Sequence, residues 1–258
     1  MTGDTGQRIP VIYATSLFDH IVKFPQPLLE GRLLKRYKRF LLDVELPSGE
    51  VFTAHTSNTG AMAGCSEPGS RIWLSRSDNP KRKYPYTWEI VETSPGVLCG
   101  INTLRSNHLV AEAILAGRVS ELLGYSTIRR EVNYGQERSR IDLLLEADDT
   151  EAKPACYVEV KNVTLERQGV AYFPDAVTKR GTKHLRELMA MVESGARAVI
   201  FFCVQRTDCS EFRPADDIDS EYASVLREAL ASGVEALAYQ TSINIKEIQL
   251  AKSLPVFV

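Results

Sequence analysis

Residues 156–162 alternate apolar and polar side chains, which predicts a β-strand. Side chains two positions apart on a strand point the same way, so Glu159 and Lys161 share one face. A second segment, residues 140–146, places Asp142 on the face opposite its aliphatic side chains. A polar, turn-forming link joins the two segments and favours an antiparallel pair. We therefore expect Asp142, Glu159 and Lys161 to converge on one exposed face.

This trio has the chemistry of a divalent-metal site. Mg²⁺ and Mn²⁺ prefer carboxylate and carbonyl oxygens, and Asp142 and Glu159 are the predicted metal ligands, with the carbonyl of Val160 as a third. Such an ion lowers the pKa of bound water, while Lys161 would orient that water or stabilise charge on a phosphate. Glu112, on a predicted helix over 108–116, would extend the catalytic set. The alternative is an amphipathic hairpin carrying an ordinary surface ion pair.

Length and charge indicate two modules. The chain has 258 residues, enough for one large domain or two small ones. Residues 1–105 carry 13 Lys and Arg against 10 Asp and Glu, a balance of +3, and residues 106–258 carry 18 against 23, a balance of −5.

The five cysteines form no Cys-x-x-Cys pair, which favours free thiols in a reducing compartment. We expect a cytoplasmic protein with a flexible leader over residues 1–19.

Residues 20–103 show short strand patterns separated by strong turn formers. We expect strands near 21–24, 32–46, 50–56, 71–75, 84–92 and 97–101. No helical period interrupts them. This pattern predicts a small β-barrel, with an OB-like barrel as one option.

Two basic clusters in this region contain aromatic side chains, and a basic row follows on a later helix. Cations neutralise phosphates and aromatic rings stack on bases, so these residues are predicted DNA contacts. For either barrel cluster alone, a solvated strand face is the better explanation, and the presence of two clusters brings DNA contact level with it. For the helix row, an ordinary solvated face explains the pattern nearly as well. The predicted contacts are Lys35, Arg36, Tyr37, Lys38, Arg39, Lys81, Arg82, Lys83, Lys179, Arg180 and Lys183.

Residues 104–258 alternate strands and helices, which predicts a mixed sheet flanked by helices. Apart from the helix with Glu112, we expect helices over 174–193 and from Asp219 to residue 231. Residues 198–204 are apolar throughout and predict a strand covered on both faces. The segment 243–258 carries no clear pattern.

The order of helix, hairpin and basic helix resembles the PD-(D/E)xK nuclease core of restriction endonucleases and Holliday-junction resolvases. In that superfamily the residues matching Asp142, Glu159 and Lys161 bind metal and drive hydrolysis, and some branches carry a glutamate matching Glu112. Ile141 stands where the motif has proline.

Longer strings resemble a narrower family, the sugar fermentation stimulation proteins. They include Asn58-Thr59-Gly60, Pro85-Tyr86-Thr87-Trp88-Glu89, Ser139-Arg140-Ile141-Asp142, Val158-Glu159-Val160-Lys161-Asn162 and Arg180-Gly181-Thr182-Lys183-His184-Leu185. The resemblance implies an N-terminal OB-type domain, a nuclease-like second domain, DNA binding and an association with the regulation of sugar-utilisation genes. Departures are confined to loops: His55-Thr56-Ser57 precedes Asn58, and Ala61 replaces a serine.

Three functions follow as hypotheses. The first is a divalent-metal-dependent nuclease, and the second is a DNA-binding regulator that performs no chemistry. The third is an enzyme acting on another phosphorylated ligand, supported only by the acidic balance of the second module. We expect DNA as partner and no membrane association, and we leave a homodimer open as the assembly.

Overall fold

The computed structural model of the chain describes residues 8–10, 23–135, 139–148 and 153–258. In chain order, the strands and helices are β1 (Arg8–Pro10), β2 (Leu29–Tyr37), β3 (Leu41–Glu45), β4 (Val51–His55), β5 (Arg71–Arg76), β6 (Tyr86–Ser94), β7 (Val97–Gly100), α1 (Ser106–Leu115), β8 (Thr127–Tyr134), β9 (Ser139–Glu146), β10 (Cys156–Val163), β11 (Leu165–Arg167), β12 (Val170–Phe173), α2 (Lys179–Glu193), β13 (Arg197–Val204), β14 (Glu211–Pro214), α3 (Ser220–Ala231), β15 (Glu235–Ile243) and β16 (Ile248–Leu254).

The N-terminal half forms the predicted OB-like barrel. Its strand order is β4-β3-β2-β5-β6-β7, and a pairing of His55 with Thr87 joins β4 to β6, so five strands close into a ring. Trp88, Leu33 and Leu42 fill the interior and are fully buried. Closure of the ring leaves β7 at the outside, where its Gly100 amide donates to the carbonyl of Gln205 at 2.9 Å.

The second half is built on a seven-stranded mixed sheet, as predicted, in the order β1-β8-β9-β10-β13-β15-β16. The central strands β10, β13 and β15 are parallel, and the outer pairings are antiparallel. Helix α1 covers one face with Leu109 and Val110, while α2 and α3 cover the other with Leu185 and Leu226. Strand β13 is buried over nearly its whole length because it is covered on both faces.

The two halves share a packed seam. Trp73 and Ile90 of the barrel belong to the same apolar cluster as α1. At the seam, the Arg105 guanidinium pairs with the buried carboxylate of Glu89 at 2.7 Å. Asp175, in the second half, accepts a hydrogen bond from the backbone amide of Met62 at 3.0 Å.

Several predicted boundaries differ from the structure. The strand predicted over 32–46 is a hairpin, because Lys38 and Arg39 adopt positive φ of 49° and 64° and reverse the chain without glycine. The helix predicted from residue 174 begins at Lys179, since the Thr178 side chain caps it by accepting from the Gly181 amide at 3.0 Å. The capping role predicted for Asp219 is confirmed, with its carboxylate accepting from the Tyr222 amide at 3.0 Å.

Three regions were not anticipated. The predicted flexible leader, residues 1–19, lies mostly outside the described residues, but Arg8–Pro10 forms β1 and pairs with β8. The unassigned tail contains β16, which completes the large sheet beside β15. A small separate sheet is formed by β11, β12 and β14. Within the described ranges, no helix combines the length and apolarity needed to cross a membrane.

Candidate metal and nucleic-acid site

The site forms where β9 and β10 part. The last residues that pair between these two strands are Val158 and Leu143, and the next position on β9 is Asp142. Beyond that point the Asp142 side chain takes over a backbone role: its Oδ2 accepts from the Val160 amide at 2.8 Å. Its Oδ1 accepts from the Asn107 side-chain amide at 2.7 Å. The carboxylate is therefore held by β10 and by the first turn of α1.

Glu159 is more enclosed than predicted. Glu159 is only 3% exposed, because α2 packs over this face of the sheet and brings His184 against its carboxylate. Its Oε1 accepts from Lys161 Nζ at 2.7 Å and contacts His184 Nδ1. Arg180 Nε donates to His184 Nε2 at 3.2 Å, so Nδ1 carries the ring proton and donates to Glu159. The expectation of a fully exposed face is wrong for Glu159, because the covering helix is a tertiary feature.

The pKa values of the two carboxylates are shifted in opposite directions. Burial and the neighbouring charge of Glu159 raise the pKa of Asp142 to about 7. Burial also raises the pKa of Glu159, but the charge of Lys161 and contact with His184 more than offset it, so this pKa is lowered overall. A second negative charge beside Glu159 is thus costly, and a bound cation would favour ionisation of both groups.

One oxygen of this pair has no protein partner. Glu159 Oε2 is buried and accepts no hydrogen bond, and the same holds for both carboxylate oxygens of Glu187 on α2 and for the hydroxyl of Tyr134 on β8. Tyr134 lies near these acids, since burial and then Glu159, Glu187 and Asp142 raise its pKa. Buried polar atoms without partners cost free energy, which suggests that a ligand, ion or water normally completes this region.

The donor set fits a hard divalent cation. Asp142 retains lone pairs beyond its two hydrogen bonds, and Glu159 offers its unpaired Oε2. Among the residues that the structure describes, no three His, Cys, Asp or Glu side chains are grouped closely enough to hold a metal ion alone. An ion here would need carbonyl oxygens or water to complete its coordination, as Mg²⁺ commonly does.

Glu112 is not brought into this cluster. Its carboxylate pairs with Arg118 after the end of α1, whereas the residue of α1 that reaches Asp142 is Asn107. Asn107 and Glu112 are five positions apart, which places them on different sides of a helix. The order of the elements along the chain predicts that this helix precedes the hairpin, but it does not predict which side of the helix faces the hairpin.

The first basic cluster divides between structural and exposed side chains. Arg36 donates to the carbonyls of Arg39, Asn58, Gly60 and Ala61, at 2.6 to 3.4 Å, and so holds the 58–61 loop. Arg39 donates twice to the Thr59 carbonyl, and the Tyr37 hydroxyl donates to Asp43. Lys35 is exposed and pairs with Asp43, and Lys38 lies exposed at the hairpin turn.

The other predicted DNA contacts are mostly exposed. Lys81, Arg82 and Lys83 lie in the turn before β6, with Arg82 donating to Thr87 at 3.3 Å and Lys83 lying over the Tyr84 ring. Lys179 and Arg180 are exposed on the first turn of α2. Lys183 follows on the same helix and is half-buried. Because Arg180 contacts His184, the basic end of α2 adjoins the acidic cluster.

Alternation predicts the two strands, over residues 140–146 and 156–162, but it does not predict the residues that support them. His184 and Asn107 carry no sequence signal for contact with Glu159 or Asp142, since each comes from a helix distant in the chain. Tyr134 and Glu187 resemble ordinary amphipathic positions. Glu187 packs tightly against Gly135 in the structure, where a Cβ on Gly135 would lie 2.7 Å from Glu187 Oε1.

Comparisons with known proteins agree with this architecture. Residues 34–101 match the family model described as the SfsA N-terminal OB domain, and residues 104–247 match the sugar fermentation stimulation protein RE domain. The sugar fermentation stimulation protein homolog of Shewanella loihica is 56% identical over 233 residues, covering 90% of this chain and 98% of that protein.

A solved structure gives the same fold. It is described as Pyrococcus furiosus SfsA in complex with Ca²⁺, superposes with a TM-score of 0.83 at 28% identity, and is matched over 92% of this chain and 99% of its own. Two family models in the correct order, a relative with more than half of its residues identical and a shared fold together establish membership. The chain belongs to the sugar fermentation stimulation protein family.

Proposed function

We propose that this protein is a DNA-binding, divalent-metal-dependent phosphodiester hydrolase. The observation that carries the proposal is the meeting of Asp142, Glu159 and Lys161 where β9 and β10 part, with Glu159 Oε2 left unpaired. An ordinary surface ion pair would be exposed and satisfied. This cluster is enclosed and includes a carboxylate oxygen that lacks a protein partner.

Each residue has a role that its contacts support. Asp142 and Glu159 would hold Mg²⁺ or Mn²⁺, which when bound polarises a phosphoryl oxygen and supplies an activated water. Lys161 keeps one positive charge beside Glu159 and would stabilise negative charge that develops on the phosphate. His184, itself held by Arg180, fixes Glu159 through Oε1, which would leave Oε2 available as a metal ligand. Substrate would approach from the side of Asp142 and Asn107, which are only half-buried.

The solved relative supports a cation site in this fold. The Pyrococcus furiosus protein is described in complex with Ca²⁺, a cation that prefers the same oxygen donors as Mg²⁺.

The DNA-binding part of the proposal relies on exposed cations. Lys38, Lys81, Lys83, Lys179 and Arg180 are exposed and can neutralise phosphates. The last two begin α2 next to the acidic cluster, so a backbone phosphate bound there would lie near the metal ligands.

A cleavage assay tests hydrolysis. Linear, supercoiled and branched DNA would be incubated with Mg²⁺ or Mn²⁺ and either the wild type or the Asp142→Asn and Glu159→Gln variants. Cutting is expected only with metal and only with the wild type. Cutting that both variants retain, or no cutting of any form by a protein that binds metal, would refute the hydrolase proposal.

The alternative is a DNA-binding regulator of sugar-metabolism genes that performs no chemistry. The enclosure of Glu159, at 3% exposure, favours it, because reactive groups need substrate access. It predicts salt-dependent DNA binding in wild type and in Asp142→Asn alike, with no cleavage of any substrate.

A further inference from the structure

Two cysteines of the barrel lie in contact. Cys65, in the loop after Met62, and Cys99, on β7, have their Sγ atoms 3.7 Å apart, and both are free and buried. A disulfide needs an Sγ–Sγ separation of about 2.05 Å, so the atoms would approach by about 1.7 Å. Side-chain rotation supplies movement of this size.

The pair lies at the seam between the two halves. Cys65 Sγ lies 3.6 Å from the Thr164 carbonyl, immediately after the strand that carries Glu159 and Lys161. Arg206, from the second half, places its Nη1 3.7 Å from Cys65 Sγ and 3.2 Å from the same carbonyl. Arg206 is 4% exposed and is anchored by Asp208 at 2.8 Å and Glu166 at 3.3 Å, so a fixed positive charge faces this thiol.

The environment distinguishes Cys65 from every other cysteine. The contact with Cys99 lowers the pKa of Cys65 against the opposing effect of burial, and the charge of Arg206 adds to the lowering. Burial raises the pKa of Cys156, Cys203 and Cys209 to about 12. The thiolate is the reactive form, so Cys65 is the expected nucleophile and Cys99 the resolving thiol.

We propose that Cys65 and Cys99 form a reversible disulfide, making this seam a site of oxidative modification by peroxides. The Cys65 thiolate attacks one oxygen of hydrogen peroxide, giving a sulfenic acid and hydroxide, which takes up a proton to become water. Cys99 then attacks the sulfenic sulfur, forms the S–S bond and releases a second water. The two thiols lose two electrons and two protons in total, and peroxide is reduced to two waters.

Closure would also change the seam. Drawing Cys65 Sγ toward Cys99 would change its distances to the Thr164 carbonyl and to Arg206, which are now 3.6 and 3.7 Å, and the new bond would close a loop over residues 65–99. Oxidation would therefore link the loop that contains Cys65 covalently to β7, next to the residue that follows β10.

Thiol counting on the denatured protein tests the proposal. Native full-length protein would be treated with hydrogen peroxide, quenched with an alkylating agent and counted, with peptide mapping to identify the pair. The count is expected to fall from the five cysteines of the sequence to three, and dithiothreitol should restore five. Because both thiols are buried, a second arm refolds reduced protein in a glutathione redox buffer, where slow access to peroxide no longer limits the reaction.

Variants make the result specific. Cys99→Ser and Cys65→Ser should each leave four thiols that peroxide does not convert to a disulfide, whereas Cys203→Ser should fall from four to two. Five thiols remaining in the peroxide arm would overturn oxidation of this pair by peroxide, and five remaining in both arms, or a different pair linked in the refolding arm, would overturn the disulfide itself. Persistence of the linkage in Cys99→Ser would do the same.

Discussion

Asp142 accepts a hydrogen bond from the backbone amide of Val160 at 2.8 Å, so a side chain on β9 replaces the next pairing of the sheet. This bond spans the point where the two strands part and ties the carboxylate to the strand that carries Glu159. The predictions below follow from this arrangement and its supports.

Metal should stabilise the folded protein through the carboxylate pair. Millimolar Ca²⁺ or Mn²⁺ should raise the Tm of wild type, because a ligand that binds only the folded state adds to its stability. Asp142→Asn and Glu159→Gln should each abolish the shift, whatever their own Tm. Glu112→Gln is the matched control and should keep the shift, since Glu112 pairs with Arg118. If Glu112→Gln lost the metal-induced rise in Tm while Asp142→Asn and Glu159→Gln kept it, Glu112 and not the carboxylate pair would hold the metal.

His184 should act by positioning Glu159. His184→Ala removes a donor to Oε1 and should weaken metal binding about 10-fold or more, as seen for partners of metal ligands elsewhere. Isothermal titration with Mn²⁺ measures this directly. His55→Ala, in the barrel, is the control and should leave the affinity unchanged. Equal affinity in wild type and His184→Ala would contradict the positioning role.

The exposed turn before β6 should contribute to DNA binding through charge alone. The double variant Lys81→Gln/Lys83→Gln should weaken binding to all sequences and reduce the slope of log K against log salt by roughly two. Fluorescence anisotropy across a salt series measures it. Lys252→Gln, at an exposed position of β16, should change little. An unchanged slope in the double variant would remove this turn from the interface.

Arg36 should matter for stability instead of DNA contact. Arg36→Met leaves the carbonyls of Asn58 and Gly60 without their donor and should cost roughly 2 kcal/mol of unfolding free energy. Urea denaturation measures the loss. Lys35→Met, whose side chain is 66% exposed, should stay within about 0.5 kcal/mol of wild type. If Arg36→Met left the free energy of unfolding unchanged but weakened DNA binding, Arg36 would instead be a DNA contact.

His108 should make the protein less stable in mild acid. Burial, then the charges of Arg130 and Arg105, lower its pKa from 6.5 to about 4. Above pH 6.5 the imidazole is neutral in both states and costs nothing, whereas between pH 6.5 and 4 the unfolded state binds the proton more readily, so stability falls as the pH falls through this range. Allowing for partial solvent exposure, the loss is on the order of 1–2 kcal/mol. His108→Gln should flatten this part of the profile, measured by urea unfolding at a series of pH values. An equally steep profile in the variant would assign the acid sensitivity to other groups.

Local patterns were sufficient for most of the fold. The alternation over 156–162, the apolar run over 198–204 and the Asp219 cap each depend on neighbours within a few residues, so they can be predicted from the sequence. The hairpin at Lys38 and Arg39 was missed because its positive φ angles fall on residues that rarely signal a turn. The helix α2 starts later than predicted because Thr178, and not Asp175, caps it; Asp175 instead accepts from the Met62 amide across the seam.

Local sequence patterns predict the family, the mixed sheet and the two strands that bear Asp142, Glu159 and Lys161. The packing of distant segments sets the rest: α2 encloses Glu159, Asn107 and not Glu112 reaches Asp142, and Arg36 turns inward to the 58–61 loop. The physical reason is the range of the interactions: strand alternation is set by adjacent residues, whereas a hydrogen-bond partner depends on which distant segments pack together.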